Sequence, residues 1–453
     1  MRPDIDFKET FSATVRSTAV RIIFAIATYY DMELLHADIK TFFLYGEMDE
    51  DVYMEQVKEY AELGPEYVCK LDKSLYGTKQ AARCANDKLV KDLGEIGFKQ
   101  CINDNLVFMI REGNDAVIMG IHVDDFITAS TSLDYQNKTM GKLRAKYEIV
   151  EKQDPTTFLG FQIERSREKG VLKLHQRSHI EKTLTLMNMA DSRPVDTPMV
   201  PGLILPEPSK VTMTADDAKL PYQQGMGLLI WCLMTRIDIA FAVGVLCRYM
   251  AKYDGSMYAL MKRVLRYLKG TSSHGLEYRR ASSNVKFGSK EPMDIVVYGD
   301  ADNSSRIHDS RSTTSWITLM ANGPISFRSI IQRIIALSTV ESEFRALRDV
   351  CQEVEWLRAF IQELGIILWG PTVVKQDNQS AIKLATNPIM HVKTKHFRVD
   401  QHYVRQLVKD MVIATEYMPT NDMLADILNK ALSGPHFIRL RDKLMVGPMP
   451  DKN

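Results

Sequence analysis

Asp124 and Asp125 stand side by side in an otherwise apolar run, Val117-Ile118-Met119-Gly120-Ile121-His122-Val123-Asp124-Asp125-Phe126-Ile127-Thr128-Ala129. Two adjacent carboxylates among strand-forming residues are costly unless a cation meets them, because a buried anion needs a partner. The run therefore predicts two short strands joined by a tight acidic turn. Upstream, Asp38 ends the semi-apolar stretch Met32-Glu33-Leu34-Leu35-His36-Ala37. A strand-end Asp and a hairpin Asp from another strand can converge on a pair of Mg²⁺ ions. In such sites the ions stand about 3.5–4 Å apart and stabilise the attacking and leaving oxygens of phosphoryl transfer. All-oxygen donors select Mg²⁺, or Mn²⁺ as its substitute, over softer metals. A bare Asp-Asp pair is as readily a solvated turn; the apolar flanks weigh against that reading here.

A second set of acids is spread over the C-terminal part. Asp300 closes the strand-like run Ile295-Val296-Val297-Tyr298-Gly299, and Asp377 follows the strand-like 372–375. Glu341 and Glu343 open a helix expected over 341–364, and Asp426 lies in an expected helix within Leu424-Ala425-Asp426-Ile427-Leu428. One acid from each would place four carboxylates over a mixed sheet, the donor set a second two-metal hydrolytic site needs. Taken singly, each is as readily a helix cap or a surface charge.

Composition narrows the class. Hydrophobic residues at 45% and charged residues at 25% are globular values, and 453 residues exceed what one core usually supports, so two to four domains are expected. A net charge of +1 excludes an overall basic chain, so nucleic-acid contact would rest on local clusters. One such cluster holds Lys262, Arg263, Arg266, Lys269, Arg279 and Arg280, with Glu277 the single acid among them. The six cysteines form no CxxC pair, which points away from a zinc ribbon and towards a reducing compartment. The most apolar stretch, 225–247, carries Arg236 and Asp238 and reads as a buried helical pair, so no membrane partner is expected. No signal peptide is expected at Met1.

Several blocks, in order, resemble one family. His122-Val123-Asp124-Asp125 is similar to the Tyr-Val-Asp-Asp box of reverse transcriptases. Asp38-Ile39-Lys40-Thr41-Phe42-Phe43-Leu44-Tyr45-Gly46, Leu75-Tyr76-Gly77-Thr78-Lys79-Gln80-Ala81 and Phe158-Leu159-Gly160 resemble further blocks of the copia-type LTR retrotransposon polymerase. Gly299-Asp300-Ala301-Asp302, Ser338-Thr339-Val340-Glu341-Ser342-Glu343, Gln376-Asp377-Asn378-Gln379-Ser380-Ala381 and the Asp426 segment resemble the four RNase H blocks of the same Pol polyprotein. The resemblance covers nearly the whole chain.

The resemblance implies a mixed α/β, multidomain fold. A reverse transcriptase palm with partial fingers would cover 1–175, a helical thumb or connection 176–290, and an RNase H-like domain with a central mixed sheet 291–445, leaving a tail at 446–453. It implies an RNA-directed DNA polymerase with RNase H activity and two Mg²⁺ ions per site. Asp38, Asp124 and Asp125 would be the polymerase ligands and Phe43 the gate against a 2′-hydroxyl on the incoming dNTP. Asp300, Glu343, Asp377 and Asp426 would be the RNase H ligands, with Glu341 the rival to Glu343. Implied partners are an RNA template, a DNA primer, RNA–DNA hybrid and dNTPs, with Gag and integrase in a cytoplasmic virus-like particle or the nucleus. The Lys393-Thr394-Lys395-His396 block, with His391 and His402, is read as structural or RNA-contacting, since the histidine spacing fits no single helix face.

Departures from the family modify these expectations. The chain opens at a point well inside the polymerase domain, so most of the fingers are expected to be missing. His122 replaces Tyr, Ala82 and Ala85 replace Pro and Trp, Asn303 and Phe327 replace Trp, and Ile330-Ile331 stand for two lysines. No proposed carboxylate is lost. The expectation is weak or absent polymerisation, the alternatives being RNase H alone or a relic that at most binds nucleic acid.

Overall fold

A computed structural model describes residues 10, 14–61, 63–282, 285–289, 291, 293–303, 309–387 and 397–447. The chain forms two compact units, one of residues 1–23 and 32–155, the other of 24–31 and 156–453.

In the first unit the strands are β1 (Glu33–Ile39), β2 (Tyr53–Glu55), β3 (Val68–Lys70), β4 (Lys99–Gln100), β5 (Val107–Glu112), β6 (Asp115–His122), β7 (Asp125–Ser130) and β8 (Ile149–Gln153). Six of them make an antiparallel sheet in the order β4-β5-β6-β7-β1-β8, and β2 pairs with β3. Helix α1 (Ser17–Tyr29) contributes its first turns to this unit, followed by α2 (Ala81–Ile96) and α3 (Leu133–Arg144). Six consecutive residues of β6 are buried, as befits a central strand covered on both faces. Gly120 lets α1 approach that strand closely: a Cβ there would stand 2.7 Å from Ile23 Cδ1.

The second unit contains β9 (Thr157–Phe158), β10 (Phe161–Ser166), β11 (Val171–His175) and β12 (Gly275–Arg279), in sheet order β12-β11-β10-β9. Helices α4 (Arg177–Leu186), α5 (Tyr222–Cys232), α6 (Ala240–Cys247) and α7 (Gly255–Gly270) lie between β11 and β12 in sequence. The division thus falls at 155/156 and not at the expected 175, because β11 hydrogen-bonds to β12 and draws the preceding hairpin into this unit. No division falls at 290/291 either. The backbone N–H of Arg279 donates to Ala321 O across that boundary. Arg236 and Asp238 sit between α5 and α6 as a fully buried pair. The Arg236 Nε and Nη2 donate to the two Asp238 oxygens at 3.0 and 2.7 Å, and Nη1 donates to Thr271 O at 2.7 Å. Such pairing is what admits charge to an apolar helical pair. Among the described residues, no helix is long and apolar enough to cross a membrane.

The rest of the second unit is a five-stranded sheet of β13 (Ile295–Asp302), β14 (Thr313–Met320), β15 (Gly323–Ile331), β16 (Thr372–Gln376) and β17 (Ile413–Tyr417), in the order β15-β14-β13-β16-β17. Strands β13 to β15 are antiparallel, whereas β16 runs parallel to both β13 and β17. This is the central mixed sheet expected for the C-terminal part. Helix α8 (Thr339–Glu363) lays Phe344, Leu347, Val350, Cys351 and Val354 into the core that β13 and β16 close with Val297 and Val374. Helices α9 (Gln379–Thr386), α10 (Arg398–Lys409) and α11 (Gly434–Leu444) complete it.

Candidate active sites

In the first unit, β6 and β7 form a hairpin whose last pair, His122 with Asp125, leaves Val123-Asp124 as a two-residue turn. Val123 adopts φ 62°, a left-handed conformation that costs a β-branched residue on the order of 1–3 kcal/mol and clusters at functional sites. The turn is tied to β1 by Ile39 N–H donating to Asp124 O at 3.0 Å. In the β1–β7 register Asp38 lies directly opposite Asp125, and such pairs hold their Cβ atoms about 4.5–5.5 Å apart. Burial first, then the charges of Asp124 and Asp125, raises the Asp38 carboxyl above its ordinary range, with His36 partly offsetting. His36, two residues before Asp38 on the same strand face, puts Nε2 2.9 Å from Asp125 Oδ1. It was not singled out from the sequence, although its i−2 spacing from Asp38 was a usable signal. Phe43 sits half-buried in the turn Phe42–Tyr45, its ring 5.8 Å from Phe42 and edge-on to Tyr76 at 4.9 Å.

In the second unit, Asp300 and Asp377 each lie two residues beyond the last paired positions of the parallel strands, Tyr298 and Lys375, so their carboxyls emerge side by side at one sheet end. Glu343 reaches them from the start of α8. That helix can come close because Gly299 carries no Cβ: one would stand 2.8 Å from Val350 Cγ2. Asp300, Glu343 and Asp377 each offer an oxygen within 4.8 Å of the others, the one such acidic or histidine/cysteine group among the described residues. Asp38, Asp124 and Asp125 are not gathered that tightly.

Neighbouring side chains fix the oxygens. Asn429 Nδ2 donates to Asp300 Oδ2 at 2.6 Å and to Ser315 Oγ at 3.0 Å. Glu343 Oε2 accepts from Ala301 N–H at 3.2 Å and from Gln376 Nε2 at 2.7 Å. Thr420 Oγ1 donates to Asp377 Oδ2 at 2.8 Å. Asp426 lies in a 3-10 turn, Leu424–Leu428, and not in the expected helix; Ser315 Oγ donates to Ala425 O at 3.0 Å and anchors that turn. Asp426 stands outside the tight trio, with Lys430 Nζ 2.7 Å from its Oδ1 and 3.8 Å from Asp300 Oδ2. Nothing in the sequence marks Asn429, Thr420 and Lys430 as neighbours of these acids, or Gln376 as a donor to Glu343, since only the tertiary fold brings them together.

Electrostatics follow from crowding. Burial, then Asp300 and Asp377, holds the Glu343 carboxyl well above its usual range. Burial and Asp300 raise Asp377, while Thr420 and Lys430 oppose the rise. Asp426 is pushed up to about 8 by burial and its contact with Asp300, against the pull of Lys430. Burial works to lower the Lys430 ammonium, but Asp300 and Asp426 outweigh it and raise it. Clustered, desolvated carboxyls of this kind mark cation-binding or catalytic sites.

Glu341, the rival to Glu343, is placed elsewhere. Its backbone N–H is capped by Ser338 Oγ at 3.2 Å, its Oε2 accepts from Leu337 N–H at 2.8 Å, and Arg345 Nε and Nη2 reach its Oε1 at 3.0 and 2.7 Å. That is a helix-capping role, announced by Ser338 three residues ahead and Arg345 four residues behind. The basic cluster of α7 is likewise turned largely inwards. Arg263 donates to Thr197 Oγ1, Arg266 to Arg193 O and Lys269 to Ser192 O, so these cations hold the 192–197 loop. Arg280 pairs with Asp31 and Arg279 with Glu277. The 393–396 block and His391 lie outside the described residues; His402 is on α10.

Residues 1–201 match the family described as reverse transcriptase (RNA-dependent DNA polymerase). The chain is 32% identical over 450 residues to the retrovirus-related Pol polyprotein from transposon RE1 of Arabidopsis thaliana, covering 99% of this chain and 30% of that protein. It is 34% identical over 434 residues to the Pol polyprotein from transposon TNT 1-94 of Nicotiana tabacum, covering 94% and 32% respectively. A solved RNase H1 from the archaeon Halobacterium salinarum NRC-1 aligns at 16% identity and a TM-score of 0.24, over 30% of this chain and 94% of that one. The acidic hairpin and the mixed sheet with its carboxylate trio thus stand in a chain of the reverse transcriptase class, by the match over residues 1–201. More narrowly, it belongs to the Pol polyprotein family of copia-type retrotransposons. It spans about a third of the length of those two relatives.

Proposed function

We propose that the second unit is a Mg²⁺-dependent ribonuclease H acting on the RNA strand of an RNA–DNA hybrid, and that the first is the palm of an RNA-directed DNA polymerase. The observation that carries this reading is the convergence of Asp300, Glu343 and Asp377 within 4.8 Å at the end of a parallel strand pair. An all-carboxylate trio fits a hard divalent cation, and the raised Glu343 and Asp377 carboxyls are what such a cluster shows when no cation neutralises it. Divalent ions bound there would generate the hydroxide nucleophile and neutralise charge on the scissile phosphate. The chain's own part is positioning. Asn429 orients Asp300, Gln376 and the Ala301 N–H orient Glu343, and Thr420 orients Asp377, so each ligand oxygen is aimed before a cation arrives. Asp426 would complete the ligand set from the opposite side.

The palm reading rests on the Asp38–Asp125 cross-strand pair and the strained Val123-Asp124 turn, with Asp38, Asp124 and Asp125 as Mg²⁺ ligands and Phe43 beside the dNTP sugar. RNA template, DNA primer and dNTPs are its substrates. Gag and integrase as partners, and a cytoplasmic particle as location, belong to the same proposal.

The test is a pair of assays with Mg²⁺, hybrid cleavage and primer extension on an RNA template. Cleavage that is abolished by Asp377→Ala and untouched by Asp124→Ala supports the ribonuclease. Extension abolished by Asp124→Ala supports the polymerase. Hybrid cleavage that survives Asp377→Ala refutes the assignment of the second unit.

A further inference from the structure

Resting on the ribonuclease reading, one feature of the carboxylate site goes further. Among the described residues, no cationic side chain stands at ion-pair distance from Glu343 or Asp377, but the Asp300–Asp426 corner has one. There the Lys430 Nζ stands 2.7 Å from Asp426 Oδ1 and 3.8 Å from Asp300 Oδ2. Both carboxylates are almost wholly buried, whereas Lys430 keeps about a third of its side chain exposed, so of the three it is the group able to leave. It also has somewhere to go. A cavity of about 310 Å³ opens beside it, lined by Lys430, Ala431, Asp302 and Thr313 on the site side and by apolar residues such as Leu203 and Phe241 beyond. Asp302 acts on Lys430 through its charge and offers the ammonium a second partner within that cavity.

We propose that Lys430 is an internal cation that occupies the Asp300–Asp426 corner, so that divalent ions load in order. The first would enter the trio from the Glu343–Asp377 side, away from the Lys430 ammonium. The second would bind between Asp300 and Asp426 only by displacing the Lys430 ammonium towards Asp302. The device holds the buried Asp300–Asp426 pair neutralised before loading and makes the second ion the weaker and more easily released.

The test is calorimetric titration of Mn²⁺ into the metal-free full chain, with the melting midpoint recorded alongside, in an Asp124→Asn background that removes a palm ligand. Two steps of unequal affinity are expected. Lys430→Met tightens the second by roughly ten- to a hundredfold, as loss of a competing charge at contact distance requires, and lowers the metal-free midpoint. Lys430→Arg keeps the charge and leaves the second step weak. Asp302→Asn leaves Lys430 in place but removes its alternative partner, so the second step weakens; this variant decides the matter if Lys430→Met does not fold. A second step unchanged or weakened in folded Lys430→Met, or unchanged in Asp302→Asn, overturns the proposal while leaving the ribonuclease reading intact. A first step that survives Asp377→Asn, or no Mn²⁺ binding at all, sinks that reading and the proposal with it.

Discussion

Glu341 and Glu343 stand two residues apart on α8, and their replacement by glutamine is expected to have opposite consequences. Glu341 is 1% exposed and anchors the helix start through Leu337 N–H and a fork from Arg345, itself largely buried. Glutamine retains an acceptor for the cap but leaves the guanidinium without its counter-charge. Breaking a fully buried pair costs about 3–5 kcal/mol, and the slight exposure of Arg345 reduces this to roughly 2–3 kcal/mol. For a unit of this size that lowers the melting midpoint by about 3–5 °C. Glu343 is different. Its buried carboxyl is opposed by Asp300 and Asp377, and a glutamine oxygen can still accept from Ala301 and Gln376. The metal-free midpoint of Glu343→Gln therefore does not fall. What it loses is stabilisation by the cation, which for wild type at a hundredfold excess over Kd amounts to about 2.7 kcal/mol. The assay is scanning calorimetry with and without Mn²⁺, paired with hybrid cleavage. Expected are a destabilised, metal-responsive Glu341→Gln and a stable, metal-insensitive, inactive Glu343→Gln. The reverse pattern, with Glu341→Gln stable but inactive and Glu343→Gln still answering to Mn²⁺, would refute the reasoning.

Three further outcomes can be checked. Because Asp426 is raised to about 8 and Glu343 and Asp377 are raised as well, the folded state holds protons that the unfolded chain has released. Their contribution to metal-free stability is therefore greatest in acid and is lost as pH rises, over roughly pH 4 to 8 for Asp426; urea melts should show Asp426→Asn flattening that decline. Arg236→Met leaves Asp238 buried without its counter-ion and costs about 3–5 kcal/mol, measured by chemical denaturation; a loss under 1 kcal/mol would contradict the account of the pair. Gly120→Ala drives a methyl against Ile23 and costs about 1–3 kcal/mol, and an unchanged midpoint would show that α1 shifts freely over β6.

Much of this protein was legible in its sequence because the signals are local. Apolar runs that lead into an acid marked β6, β13 and β16, with β7 running on from Asp125, and the short distance along the chain between strand end and carboxylate left little freedom in where Asp124, Asp300 and Asp377 would emerge. The charged pair inside 225–247 announced buried helices for the same reason: an isolated Arg or Asp is intolerable there, but two that can meet are not. The capping role of Glu341 was also written locally, in Ser338 and Arg345, but family order alone did not separate it from Glu343. Helix phase does, since two residues along a helix turn the side chain to a nearly opposite face.

Non-local pairing was the part only the tertiary structure decided. The hairpin 157–175 belongs with β12, about a hundred residues away, because hydrogen bonding and not sequence adjacency sets the unit boundary. The α7 cations proved to bind loop carbonyls, since charge counted along the chain says nothing about which neighbours fold against it. Asn429 and Lys430 sit beside Asp300, more than a hundred residues upstream, only because the turn at Leu424–Leu428 is pinned under β14 by Ser315. The acids could be named from the chain; the side chains that aim and neutralise them are selected by packing, which brings distant residues within hydrogen-bond reach.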